Sequence, residues 1–197
     1  MAADKQDPID LFAEWFAEAK ASPLRDPTAM ALATVSKDMM PSVRMVLMKQ
    51  FDHEGLVFYT NLTSTKAQHL KDNPQASVCF HWEPLRRQVR VSGKFEAVTL
   101  DEADAYFASR PRESQLGAWA SLQSQPMKSR EEFEQRLADV TRKYEGQEVP
   151  RPAHWSGFRM VPTRVEFWMD RPFRLHDRWV YQRADAQQPW QTQLLYP

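Results

Sequence analysis

The chain has 197 residues, 42% of them hydrophobic and 12% aromatic, and its 26 basic and 26 acidic residues cancel. That composition suits one compact domain with a real core, and the neutral balance excludes nucleic-acid binding through bulk charge, so any anion must be held by individually placed Arg and Lys. A single cysteine, Cys79, excludes an intrachain disulfide, and there is neither a signal-peptide pattern nor an apolar run of membrane-span length, so the expected setting is the cytoplasm with no membrane partner.

Residues 8–21 are predicted to be helical. Asp7 can cap this helix, Pro8 suits its first turn, and Leu11, Phe12, Trp15 and Phe16 form one apolar face before Pro23. Strands are predicted at 29–35, 42–49 and 56–60, the last two separated by the turn-like Asp52-His53-Glu54-Gly55. Lys37-Asp38-Met39-Met40 should turn, although it holds no Gly or Asn. A short helix over 64–71 closes at Asn73-Pro74, and strands follow at 76–82 and 87–98, with Gly93 an expected bulge. Helices are predicted at 100–109 and 129–144, the second burying a stripe of Phe133, Leu137, Val140 and Tyr144. Residues 147–153 form a surface connection, and strands return at 158–168, 174–183 and 190–195. Strands in succession with helices between them give a mainly β, α+β fold in a single domain: a barrel or a sandwich with helical decoration, which pattern alone does not separate.

Charges stand out against this frame. Arg44 and Lys49 interrupt an apolar strand, and each needs an anion or an exit to water; the alternative is an edge strand with two snorkelling side chains. Five apart, they should face opposite ways and serve different groups. Tyr59 to Lys66 runs from a strand end into a helix start, where free N–H groups and Lys66 can seat a phosphate, as can many Ser-capped helices. Tyr106, Arg110 and Ser114 combine a phenol, a guanidinium and a hydroxyl; the alternative is a helix C-terminus decorated with basic residues. Alternation would put Arg174, His176 and Arg178 on one strand face. The five histidines lack metal-ligand spacing, so no metal site is expected, and Cys79 and His81 are expected as a buried pair. No Gly-rich phosphate loop or serine-hydrolase elbow is present.

In order, Arg-Met-Val-Leu-Met-Lys (44–49), Phe-Tyr-Thr-Asn (58–61), Ser-Arg-Pro-Arg-Glu-Ser-Gln (109–115), Gly-Ala-Trp (117–119), Glu-Phe-Trp (166–168) and Arg-Leu-His-Asp-Arg (174–178) resemble the pyridoxine/pyridoxamine 5′-phosphate oxidases. The resemblance runs from about Asp7 to the C-terminus. It implies an FMN-binding split β-barrel, a homodimer with FMN at the subunit interface. By position it implies an FMN set of Arg44, Met45, Val46, Leu47, Met48 and Lys49, then Tyr59, Thr60, Lys66, Gln88, Gln123, Ser124, Trp168 and Arg178. Lys49, Tyr106, Arg110 and Ser114 would surround the substrate phosphate, with Arg174, Leu175 and His176 at the pyridine ring and Asp26 on the substrate side. The implied reaction takes a hydride equivalent from C4′ of pyridoxine or pyridoxamine 5′-phosphate to the flavin, which oxygen reoxidises to give hydrogen peroxide. Ser64-Thr65-Lys66 departs from the family's usual Ser-Arg-Lys, and the C-terminus ends Leu194-Leu195-Tyr196-Pro197 in place of the usual Arg-Leu-Ala/Ser-Pro. Two other readings compete: a related flavin oxidase acting on another aromatic ring, such as a phenazine precursor, and a non-catalytic carrier of FMN or pyridoxal phosphate. An RNA-binding barrel using Arg86, Arg87 and Arg90 is disfavoured by the neutral charge.

Overall fold

The computed structural model describes residues 7–197. Helix α1 (Pro8–Ala21) starts as its sequence dictates: the Asp7 carboxylate accepts the Ile9 N–H at 2.7 Å, with Pro8 in the first turn. Its buried face carries Ile9, Leu11, Phe12, Trp15, Phe16 and Ala19. Phe12 packs on Phe51, Phe80 and Trp82 with ring centroids 5.1–5.9 Å apart, and Trp15 meets Phe167 edge-on at 5.1 Å. Each such ring contributes about 1.5–3 kcal/mol by burial, which seats α1 on the inner face of the sheet.

The sheet comprises β1 (Ala29–Val35), β2 (Pro41–Leu47), β3 (Gln50–Asp52), β4 (Gly55–Asn61), β5 (Gln75–Trp82), β6 (Arg87–Ala97), β7 (Trp155–Met169), β8 (Asp177–Gln182) and β9 (Gln191–Leu194). Its order is β2-β1-β5-β6-β7-β4-β3, with β8 also on β7 and β9 on β8, and every pairing is antiparallel. The 15-residue β7 is the axis: one edge pairs with β6, while the other pairs first with β4 and then with β8. The predicted bulge at Gly93 is present. The register shifts between Ser92 and Gly93, and a Cβ on Gly93 would lie 2.1 Å from the Val161 carbonyl oxygen.

Helices α2 (Thr65–Asp72), α3 (Leu100–Ala108), α4 (Arg112–Ala120) and α5 (Arg130–Lys143) fill the connections. A capping box between Thr99 and Glu102 starts α3. Phe107, Leu116, Ala118, Tyr144, Val149 and Trp155 form a second core under α3–α5.

Several expectations need correction. Helix α4 and strand β3 were not predicted. The expected stripe on α5 is only half-buried at Phe133, Leu137 and Val140, and only Tyr144, just past its end, is buried. Cys79 is half-buried and His81 exposed, so they are not a core pair. The turn before β2 forms without glycine because Met39 takes a left-handed backbone (φ 61°), braced by the Ser36 hydroxyl, which accepts the Met40 N–H at 3.1 Å. The strand expected from Arg174 begins only at Asp177. Pro172 opens a 3-10 turn, and Phe173 and Arg174 have φ of 60° and 63°, incompatible with a strand.

Candidate active site

Where β4, β7, α3 and α4 meet, an open pocket of about 410 Å³ is lined by Lys49, Tyr59, Thr60, Tyr106, Arg110, Ser114, Gln123 and Trp155, among others. All four residues expected around a substrate phosphate are therefore brought together. Lys49 reaches the pocket because β2 ends at Leu47, and its own N–H pairs with the Val57 carbonyl at 2.8 Å. Arg110 lies just beyond α3, its guanidinium 4.6 Å over the Trp155 ring. Its Nη1 is buried and, among the described residues, has no hydrogen-bond partner. Arg87 also has a buried Nη1 outside hydrogen-bond geometry, but Glu18 lies 3.0 Å from it. Burial pushes the Arg110 pKa down, opposed only in part by the neighbouring Tyr106 phenol. A half-buried cation with a buried, idle donor, beside a lysine, a phenol and a hydroxyl, can seat an anion.

Flat walls flank that seat. Tyr59 stacks on Tyr106 with centroids 4.0 Å apart and on Trp155 at 5.4 Å. Burial raises the pKa of both phenols, keeping Tyr106 a neutral donor. Gly157 makes this stack possible: a Cβ there would lie 2.7 Å from the Tyr59 ring. Gly157→Ala is expected to cost about 1–3 kcal/mol of stability by overpacking, and to weaken ligand binding at the same pocket by displacing Tyr59. Thermal melting and a ligand titration of the variant check both effects; unchanged values would mean that Tyr59 moves freely.

A second cationic group sits at the start of α2. Lys66 Nζ donates to Thr60 Oγ1 (3.1 Å), Ser64 Oγ (3.2 Å) and Gln123 Oε1 (3.1 Å). Burial, then the charge of Arg44, lowers its pKa to about 8. Among the described residues Arg44 donates to neutral oxygens: the Leu32 carbonyl, Thr34 Oγ1 and Ser42 Oγ. Two neighbouring cations with neutral partners at a helix N-terminus can seat a second anion. Arg44 and Lys49 thus lie in different clusters, Arg44 beside Lys66 and Lys49 in the pocket with Arg110. Thr60 and Gln123 join the two seats, while Ser124 is exposed with a left-handed backbone (φ 71°). Met45 and Leu47 are exposed on β2, Val46 packs against the core and Met48 is buried. Because β2 is an edge strand, one side of its backbone is left unpaired by the sheet.

The remaining residues lie across the sheet. Gln88, Trp168 and Arg178 are direct cross-strand partners on β6, β7 and β8, so they form one row on one face. His176 packs against Trp168, ring centroids 4.6 Å apart. Its Nδ1 lies 3.0 Å from Asp170 Oδ1 and 3.2 Å from the Arg171 N–H, so Nε2 is the nitrogen left for a ligand. Arg174 and Leu175 are exposed. Among the described residues no hydrogen bond, ion pair or ring contact joins this row to the two anion seats. Asp26 belongs to neither group; its carboxylate accepts from the N–H and hydroxyl of Thr28 at the entrance to β1. Sequence reading missed Trp155 and Gly157, and it singled out Glu166 within the Glu-Phe-Trp motif without giving it a role. Trp155 and Gly157 lay outside the predicted strand, and nothing local marks Glu166 as buried.

The fold agrees with that of known proteins that this chain resembles. The family profile described as pyridoxamine 5′-phosphate oxidase matches residues 16–144, and that of the pyridoxine 5′-phosphate oxidase C-terminal dimerisation region matches residues 155–197. A pyridoxine/pyridoxamine 5′-phosphate oxidase of Rhodopseudomonas palustris is 58% identical over 192 residues, 98% of this chain and 90% of that protein. One from Myxococcus xanthus is 58% identical over 191 residues, 97% and 92% of the two chains. Among solved structures, PhzG from Burkholderia lata, in complex with tetrahydrophenazine-1-carboxylic acid, superposes with a TM-score of 0.92 at 31% identity, covering 98% of this chain and 94% of that one. A pyridoxamine 5′-phosphate oxidase-related, FMN-binding protein from Nostoc punctiforme shares the fold, with a TM-score of 0.76 at 20% identity, covering 98% and 100%. The curled antiparallel sheet is the expected split barrel, and the chain belongs to the pyridoxamine 5′-phosphate oxidase family.

Proposed function

We propose that this protein is an FMN-dependent oxidase, a cytoplasmic homodimer that converts pyridoxine 5′-phosphate and pyridoxamine 5′-phosphate to pyridoxal 5′-phosphate, with oxygen reduced to hydrogen peroxide. The observation that carries the reading is the buried, unpartnered Arg110 Nη1 in a pocket with Lys49, Tyr106 and Ser114. Those groups suit a phosphate dianion on the substrate. Arg44 and Lys66 form the second seat, which suits the phosphate of FMN. The names of the relatives at 58% identity point the same way.

When bound, FMN supplies the two-electron chemistry that no side chain here provides. The chain's own residues bind, orient and balance charge. Lys49, Arg110, Tyr106 and Ser114 hold the vitamer phosphate, and the stacked aromatic wall shapes the pocket. Arg174 would orient the pyridine ring, its charge offsetting the negative charge that the hydride equivalent carries to the flavin, and His176 would offer Nε2 as a polar partner. Gln88, Trp168 and Arg178 line the cofactor from one sheet face. That face also carries exposed Val43, Met45 and Leu47, and it lies opposite the core. A homodimer covers it and brings this row to the partner's anion seats.

The similarity to PhzG favours a second reading, oxidation of a tetrahydrophenazine carboxylate, whose carboxylate would also pair with Arg110. Turnover of both substrate types by one preparation separates the two readings. The phosphorylated vitamer is expected to be oxidised and the phenazine precursor left unchanged.

Lys66 makes the proposed cofactor affinity dependent on pH. Its folded-state pKa of about 8 lies below the ordinary 10.5. In the apo-protein the lysine is charged in both folded and unfolded states below pH 8, and that charge opposes folding. As pH rises from about 8 towards 10.5 the folded state releases its proton first, so apo-protein stability increases. FMN binding has the opposite sign, because the dianion needs the ammonium. Affinity is expected to fall by up to about tenfold per pH unit above 8. FMN titrations between pH 7 and 9.5 should show this slope in the wild type and lose it in Lys66→Met. A flat wild-type profile would place the phosphate elsewhere.

A further inference from the structure

Glu166 is the deepest charge on the sheet face that carries Gln88, Trp168 and Arg178. It is 1% exposed, on β7 two residues before Trp168 and therefore on the same face. Three arginines share its carboxylate. Arg178 donates from both Nε (2.9 Å) and Nη2 (2.7 Å) to Oε1, while Arg164 Nη2 (2.9 Å) and Arg90 Nη1 (3.4 Å) reach Oε2. Burial alone would raise the Glu166 pKa, but the hydrogen bonds from Arg178 and Arg164 and the charges of Arg178 and Arg90 outweigh it and hold the group ionised.

A buried ion cluster is a weak source of stability, because desolvation offsets the attraction. Geometry is what this one supplies. Arg178 spends Nε and Nη2 on a single oxygen and Nη1 on the Tyr196 carbonyl at 3.1 Å, so its guanidinium is fixed in plane and position. Part of its planar fork stays uncommitted, and three guanidiniums on one carboxylate keep a surplus of positive charge.

We propose that Glu166 is a positioning residue of the cofactor site: its carboxylate clamps Arg178 in the orientation in which Arg178, beside Trp168 and Gln88, meets FMN. The proposal rests on the FMN reading above and extends it to a residue that makes no contact with FMN itself.

The test is a double-mutant cycle read by quenching of FMN fluorescence on titration into apo-protein, which needs no turnover. Glu166→Gln is expected to weaken FMN binding by about tenfold, as is Arg178→Ala, each through one charge-assisted contact. The double variant should bind no more weakly than Arg178→Ala alone, because Glu166 acts only through Arg178. Multiplying losses, or wild-type affinity in Glu166→Gln, would overturn the clamp. Failure of the wild type to bind FMN at all would overturn the FMN reading, and the clamp with it. Thermal melting of each apo-protein checks folding. If Glu166→Gln does not fold, Glu166→Asp carries the test: it keeps the buried charge but withdraws it by one methylene, and its loss should also vanish in the Arg178→Ala background.

Discussion

Replacing Arg110 with Ala is expected to raise KM for pyridoxine 5′-phosphate by roughly ten- to a hundredfold, the range of a charge-assisted hydrogen bond worth about 1.5–3 kcal/mol. The cause is already present in the protein. Arg110 is held between Trp155 and Phe107, its pKa lowered by burial, with Nη1 idle in the pocket. A protein that keeps such a group unpaired bears a desolvation cost, and an anionic substrate relieves it. The loss should be specific to the ester. Activity on unphosphorylated pyridoxine, expected to be poor in the wild type, should change little, and FMN affinity should stay within about threefold, because the proposed FMN seat is formed by Lys66 and Arg44. Steady-state kinetics with both substrates checks this. Equal KM values for variant and wild type would return Arg110 to packing on Trp155.

Arg174→Leu is expected to act on kcat. Arg174 sits on a left-handed backbone beside the 92% exposed Phe173, and among the described residues its side chain has no hydrogen bond or ion pair. Non-glycine residues held there cost about 1–3 kcal/mol each, strain that persists where function uses it. A cation held out in this way is available to a ligand or to the partner's pocket. If it orients the pyridine ring and offsets the negative charge that the hydride equivalent carries to the flavin, its loss should lower kcat by about a hundredfold, the scale of one preorganised electrostatic donor. FMN affinity and the melting temperature should barely move, since no contact in the chain is lost. A normal kcat would make Arg174 an ordinary surface cation.

Much of the fold was legible because local signals agreed. Asp7, Pro8 and the spacing of Leu11, Phe12, Trp15 and Phe16 all specify α1, and Gly93 marks the bulge at which β6 bends past β7. Helix α4 was hidden by Pro111 before it and Gly117 within it. The strand predicted from Arg174 failed because alternation of side chains carries no information about φ, and Pro172 and Phe173 divert the chain. Within the site, Lys49, Tyr106, Arg110 and Ser114 were found by their place in the family's motifs, and the structure brings them to one pocket. Trp155 was missed because a residue that stacks under an arginine looks, in sequence, like any strand aromatic. The row of Gln88, Trp168 and Arg178 depends on cross-strand register, which is set by pairing far along the chain. Asp26 remains apart, engaged in a turn.

The most direct measurement is an anaerobic titration of the purified protein, reconstituted with FMN, followed by its visible absorption. One equivalent of pyridoxine 5′-phosphate per flavin should bleach the flavin completely with one equivalent of pyridoxal 5′-phosphate formed, pyridoxine should not do so at the same concentration, and admission of air should restore the colour with formation of hydrogen peroxide. Protein that binds FMN yet keeps its colour with the phosphorylated vitamers, or that is bleached only by a tetrahydrophenazine carboxylate, would contradict the proposed function.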